Sequence, residues 1–144
     1  MKTCMAALCL ALFTAAAATA EPRDFTDFSV DLPPGWTVQR EGSTTAFTAP
    51  DGSASLQVAV ELLTRMDGMN AESLAAAYAA ELHGSRPVMV DNDPNYYSFT
   101  FTSPEGEASE ASIVVSDRNF YLITVSGRHK DLAGLVESLL LSIL

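Results

Sequence analysis

Turn signals cut this chain into short alternating segments, and their spacing is what most limits its fold. Pro33-Pro34-Gly35, Glu41-Gly42, Pro50-Asp51-Gly52, the 91–95 stretch, Ser103-Pro104-Glu105-Gly106 and residues 117–119 each end one segment and begin the next. Residues of these types preset turn backbone angles or bond their own backbone. The segments 25–32, 36–40, 43–49 and 54–63 read as strands, and three or four more follow at 87–90, 96–102, 107–116 and 120–126. Apolar side chains alternate within them: Phe28, Val30, Leu32; Leu56, Val58, Val60, Leu62; Tyr97, Phe99, Phe101; Ala111, Ile113, Val115. A period of two places each set on one face of a sheet. The 120–126 segment is apolar nearly throughout, which predicts a central strand.

Two segments keep a helical period instead. Asn70 is a good N-cap, Glu72 falls where the helix dipole favours an anion, and Leu74, Tyr78 and Leu82 share a face. Ala75, Ala76, Ala77, Ala79 and Ala80 raise helix propensity, and Gly84 is the expected stop. Residues 130–143 form the second helix, with Leu132, Leu135, Val136, Leu139, Leu140 and Ile143 fitting the i, i+3, i+4 template. That stripe needs a sheet face to cover. The predicted fold is α+β: a mostly antiparallel sheet of about six to seven strands flanked by two main helices.

Residues 1–20 read as an export signal. Lys2 gives the positive start, 5–18 the apolar run, and Ala18-Thr19-Ala20 the small-x-small cleavage site. Cleavage after Ala20 leaves a single domain, residues 21–144, in the periplasm or outside the cell. The run is too short and too rich in alanine for a stable span of about 20 strongly apolar residues. Cys4 and Cys9, the only cysteines, sit too early for a lipoprotein and leave with the signal. The mature domain is then without disulfides, thiolate zinc sites or iron–sulfur clusters. Eighteen acidic residues face eight basic ones, a net charge of −10. That balance argues against nucleic acid, which is bound through Lys and Arg, and against an anionic membrane surface. It suits solubility in the envelope or a cationic partner or metal steered by the field.

No catalytic, cofactor or metal-binding constellation emerges. Asp91-Asn92-Asp93 opens like a calcium loop, but Tyr96 and Thr102 stand where that motif needs Gly and Glu; a turn with Asx side chains on local backbone is the reading. His83 sits at a helix end and His129 in a turn, far apart in sequence. No GxSxG elbow, GxGxxG or phosphate loop occurs. Trp36, the only tryptophan, is expected to plug the end of the core. Tyr96 and Tyr97 point to opposite faces; Tyr96 joins Ser98, Thr100 and Thr102 on a face either open to a partner or covered by a helix. Glu105, Glu107 and Glu110 lie at a hairpin tip. Tyr96, Thr100, Glu105, Glu107 and Glu110 are the candidate interaction surface.

Three features combine into a resemblance. An opening strand leads from Phe28 into the corner Leu32-Pro33-Pro34-Gly35-Trp36. An alanine-rich helix follows a meander and precedes a strand near Pro87. A strand pair ends at Tyr121-Leu122-Ile123-Thr124-Val125-Ser126-Gly127 before a closing amphipathic helix. Together these resemble the PsbP-like superfamily, which includes the Ran-binding Mog proteins and exported bacterial envelope proteins such as DcrB. The resemblance covers about 25–143. It implies an antiparallel sheet flanked by helices and a role in binding proteins or assisting assemblies, with no common catalytic residue. Some plant members bind metal ions, but no matching ligand motif occurs in this chain. The expected function is an exported, non-enzymatic interaction or assembly module of the bacterial envelope. Its partner would be an envelope protein of unknown identity, its state a monomer or weak homodimer, without cofactor, nucleic acid or stable membrane insertion. The alternative is a periplasmic carrier of a small apolar ligand or metal ion, and a third reading is a hydrolase using a serine with His129 or His83.

Overall fold

The computed structural model describes residues 19–144. The signal reading falls on residues that, Thr19 and Ala20 apart, lie outside the described ones. The elements are β1 (Glu21–Asp24), β2 (Ser29–Leu32), β3 (Thr37–Glu41), β4 (Thr44–Thr48), β5 (Ala54–Leu62), α1 (Ala71–Glu81), β6 (Val88–Met89), β7 (Tyr96–Thr102), β8 (Ala108–Ser116), β9 (Asn119–Gly127) and α2 (Leu132–Ile143). β3, β4 and β5 form a meander; α1 then carries the chain to the far edge, and β6 to β9 meander back. The seven-stranded order is β3-β4-β5-β9-β8-β7-β6, every pair antiparallel. β9 is in the middle, as its apolar sequence predicted, and pairs with β5 from Ala54↔Gly127 to Leu62↔Asn119. β1 and β2 make a separate two-stranded ribbon.

The two faces are covered unequally. α1 sits on one, where Ala71, Leu74 and Ala75 pack with Tyr97, Ile113 and Phe120, and Ala79 with Phe99 and Ala111. The β1–β2 ribbon and α2 cover the other. There Phe28, Val30, Leu32 and Trp36 join Phe47, Leu56, Val58, Ile123, Leu135, Leu139 and Ile143 in the larger core. Period-two alternation decides which residue serves which layer. Leu62, the last of its set, lies beyond both covers and is 43% exposed.

α2 also completes the edge of β2. Ser29 N–H donates to Ser142 Oγ at 3.1 Å and Asp31 N–H to Ser138 Oγ at 2.9 Å. Those hydroxyls donate in turn to the Leu139 and Leu135 carbonyls. A row of edge donors is thus satisfied by helix serines rather than by another strand.

Two expectations change in detail. The 25–32 segment is not one strand. Phe25 N–H donates to the Phe28 carbonyl at 2.8 Å, closing a turn that stacks the two rings at 4.9 Å, and only Ser29–Leu32 is extended. β1 precedes that turn. Its Glu-Pro-Arg-Asp sequence is exposed along its whole length and has no alternation to reveal it. Gly84 is not the residue that turns the chain out of α1, because His83 takes the left-handed conformation, φ 53°. Gly84 is required for close approach: a Cβ there would lie 2.7 Å from Phe99 Cδ2 and 2.8 Å from the Thr100 carbonyl oxygen. The N-terminal end of α1 is as predicted. Asn70 Oδ1 accepts from Ser73 N–H at 2.8 Å and Ser73 Oγ accepts from Asn70 N–H at 2.9 Å, a reciprocal capping box.

Candidate functional site

α2 buries only half of its apolar stripe. Leu135, Leu139 and Ile143 lie in the core, but Leu132, Val136 and Leu140 are only partly covered. These three continue at i+4 spacing to Leu144 and form one wall of an open trough of about 590 Å³. Its floor is Glu110, Val125 and Gly127. The same three residues border a second concavity of about 560 Å³ that runs over Thr100, Thr102 and Ala108 to His83, so the two are one continuous depression. Leu141 and Leu144, 74% and 61% exposed, are the most exposed large apolar side chains among the described residues. The sheet explains why α2 stops short. On this face β8 and β7 present Glu110 opposite Thr100 and Ser112 opposite Ser98, and small polar side chains offer a helix little apolar area to bury.

The candidate surface residues divide between two places. Thr100 and Glu110 are cross-strand partners, both exposed, in the middle of the depression. Thr100 is held by Ser85, whose N–H donates to the Thr100 carbonyl at 2.8 Å and whose Oγ accepts from Thr100 N–H at 2.9 Å. Tyr96 shares that face but is half-buried against the larger core. Burial is the main cause that pushes its phenol above the ordinary value; Glu110 and Asp91 push the same way, and the Ser112 hydroxyl opposes them. That face is therefore packed against the core at Tyr96 and exposed at Thr100. Glu105 and Glu107 are elsewhere, in a pocket of about 610 Å³ on the α1 side with Tyr78, Glu81 and Phe101. The apolar wall of the depression was not among the candidates. Its signal was present: six apolar positions on one helix, with Leu141 and Leu144 beyond them, exceed what one sheet contact covers.

The remaining polar groups have local roles. His129 Nδ1 accepts from Asp131 N–H at 3.1 Å where α2 begins, and Asp131 Oδ2 lies 3.7 Å from the same nitrogen. Trp36 packs edge-to-face on His129, ring centroids 5.3 Å apart. Trp36 Nε1 is the one buried side-chain nitrogen or oxygen without a hydrogen-bond partner among the described residues. In the 91–95 turn Asp93 Oδ1 accepts from Asn95 N–H at 2.9 Å, the Asx turn that the sequence suggested. Among the described residues no three His, Cys, Asp or Glu side chains come together as a metal site requires. No helix among them is long and apolar enough to cross a membrane.

Three phenols, Tyr121 buried and Tyr78 and Tyr96 partly buried, give the domain a pH dependence. Tyr121 Oη donates to the Asp27 carbonyl at 2.8 Å. Tyr121, Tyr78 and Tyr96 all have pKa values raised from 10.0, in each case chiefly by burial. As pH rises through 10 the unfolded chain loses these protons first. Stability that is fully present below pH 10 then drains as pH climbs through the higher folded-state values. Urea midpoints should be flat from pH 8 to 9.5 and fall steeply above 10, with Tyr121→Phe showing a shallower fall.

Comparison with known proteins places this architecture. The structure is similar to that of the cyanobacterial PsbP (CyanoP) from Synechocystis sp. PCC 6803, with a TM-score of 0.60 and 12% identity over 87% of this chain and 94% of that one. It is also similar to a protein from Bacteroides thetaiotaomicron VPI-5482, with a TM-score of 0.51 and 16% identity over 82% of this chain and 44% of that longer one. At such identities the likeness is one of fold, and the fold is PsbP-like, as the sequence resemblance implied. No protein-family profile and no curated protein sequence matches the chain.

Proposed function

We propose that this chain is an exported, non-catalytic interaction or assembly module of the bacterial envelope. The observation that carries the reading is the uncovered apolar flank of α2 beside an open strip of sheet. Contiguous exposed apolar surface rimmed by polar groups marks a place where another molecule sits. The export signal read in residues 1–20 supports the compartment, and the resemblance to envelope proteins such as DcrB supports the role by analogy. The carrier reading retains one argument, since cavities of about 590 Å³ fall within the range of small-molecule pockets. Such pockets bury most of their ligand, however, and this depression is open to solvent along its length.

The test is native mass spectrometry of the protein purified from its own envelope fraction. The expected result is a chain beginning at Glu21 that carries the added mass of a second polypeptide. An added mass of a few hundred daltons would establish the carrier instead. A chain retaining residues 1–20 in the cytosolic fraction would overturn the compartment, and turnover of an envelope substrate by the purified domain would overturn the non-catalytic role.

A further inference from the structure

We propose that the depression beside α2 takes an amphipathic helix of a partner protein, with its apolar side on α2 and its lysine or arginine side chains on Glu110 and Glu137. This deepens the interaction reading and rests on it. Leu132, Val136, Leu140 and Leu144 recur every fourth residue, so they form a continuous ridge, inclined to the helix axis, that extends about 18 Å along α2 at 1.5 Å per residue. A second helix packs against such a ridge with its axis about 8–10 Å away. The sheet beside that ridge is open where Ala108 and Glu110 of β8 pair with Thr102 and Thr100 of β7, all four exposed, and strands about 4.8 Å apart let a helix resting there lie within packing distance of α2.

Charge selects the occupant. Glu110 on the floor and Glu137 on the α2 wall are both exposed and both border the trough. Among the described residues neither has a lysine or arginine nitrogen within 4.0 Å. Arg128 also borders the trough, just before α2 begins, so it is at the carboxylates of the floor and the α2 wall, in a chain of net charge −10, that a helix with apolar residues on one side and basic residues at its margins finds its complement. A second copy of this chain carries the same net charge of −10, and like-charge repulsion disfavours it as the occupant.

The test uses the full chain in its own cells, with a photo-crosslinking amino acid at Ala133 or Leu141 in the trough, or at Gln39 on the opposite sheet face. The crosslinked partner peptide is sequenced. The expected result is crosslinking from Ala133 and Leu141, into one amphipathic segment bearing lysine or arginine, and not from Gln39. Glu110→Lys with Glu137→Lys should cut the yield about tenfold or more while the far-ultraviolet spectrum is unchanged, both positions being exposed. An unchanged yield would overturn the charge assignment. Trough crosslinks to lipid, to an acidic segment or to a second copy would overturn the occupant. Crosslinks from Gln39 alone would overturn the site and leave the interaction module standing. No crosslink from any position would remove both.

Discussion

Gly127→Ala is expected to leave the domain without a cooperative unfolding transition, or to lower its stability by about 4 kcal/mol or more. Gly127 ends β9 in the left-handed region, φ +77°, opposite Ala54 in the central β5–β9 pairing. A methyl group there would lie 2.0 Å from the Ser53 carbonyl oxygen and 3.0 Å from Ala54 Cα. Both neighbours are backbone, so no rotamer change relieves the clash. The same carbonyl accepts from Arg128 N–H at 3.0 Å, which fixes the approach to α2. Making room therefore separates β5 from β9 at the end where the chain enters its last helix. The left-handed backbone adds about 1–2 kcal/mol for any residue with a Cβ. Domains of this kind have about 5–15 kcal/mol in all. Gly52→Ala is the control. Its φ of +73° is nearly the same, but no atom lies within 4 Å of the added methyl, so only the backbone strain should appear. Urea denaturation of the two variants separates these causes. Equal losses would mean that strain, and not the Ser53 contact, makes Gly127 necessary.

The parts of this fold that could be read from the sequence are those where one local rule acts alone. Alternation placed Leu56 and Val58, Tyr97 and Phe99, and Ile113 on their faces, because a strand offers only two. The Asn70 cap was visible for the same reason: it involves neighbours only, although Ser73 as its partner was not singled out. What was hidden depends on distant partners. Nothing in Glu-Pro-Arg-Asp signals a strand; β1 exists because β2 lies beside it. Gly84 reads as a helix stop until Phe99 and Thr100 are placed against it. The candidate surface was split for a related reason. Glu105, Glu107 and Glu110 are close in sequence, but the hairpin sends Glu110 to the α2 side and the other two to the α1 side. α2 is the instructive case. Its periodicity gave the helix and the residues that face inward, but how much of the stripe the sheet would cover depended on Ser98, Thr100, Glu110 and Ser112, all more than 15 residues away in sequence. The uncovered remainder is the candidate site.

Trp36→Ala should cost about 3–5 kcal/mol, the usual range for removing a buried aromatic side chain. Trp36 is 6% exposed and follows the Pro33-Pro34-Gly35 corner, where its backbone N–H donates to the Pro33 carbonyl at 3.3 Å. Gly35 is forced to φ +78° with Pro50 packed beneath it, so the corner is rigid and cannot collapse into the space an alanine would leave. Trp36→Phe should cost much less than Trp36→Ala. It retains most of the apolar body and removes Nε1, whose burial without a partner is itself unfavourable by about 1–3 kcal/mol. If phenylalanine cost as much as alanine, the indole N–H would be contributing directly, and the His129 ring, its centroid 5.3 Å from that of Trp36, would be the group to test. Because His129 also accepts from Asp131 N–H, loss of Trp36 should reach α2. In a double-mutant cycle, Trp36→Ala and His129→Ala should couple by about 0.5–1.5 kcal/mol. A coupling near zero would mean that the corner plug and the helix start are independent, and that Trp36 stabilises the core without positioning the wall of the trough.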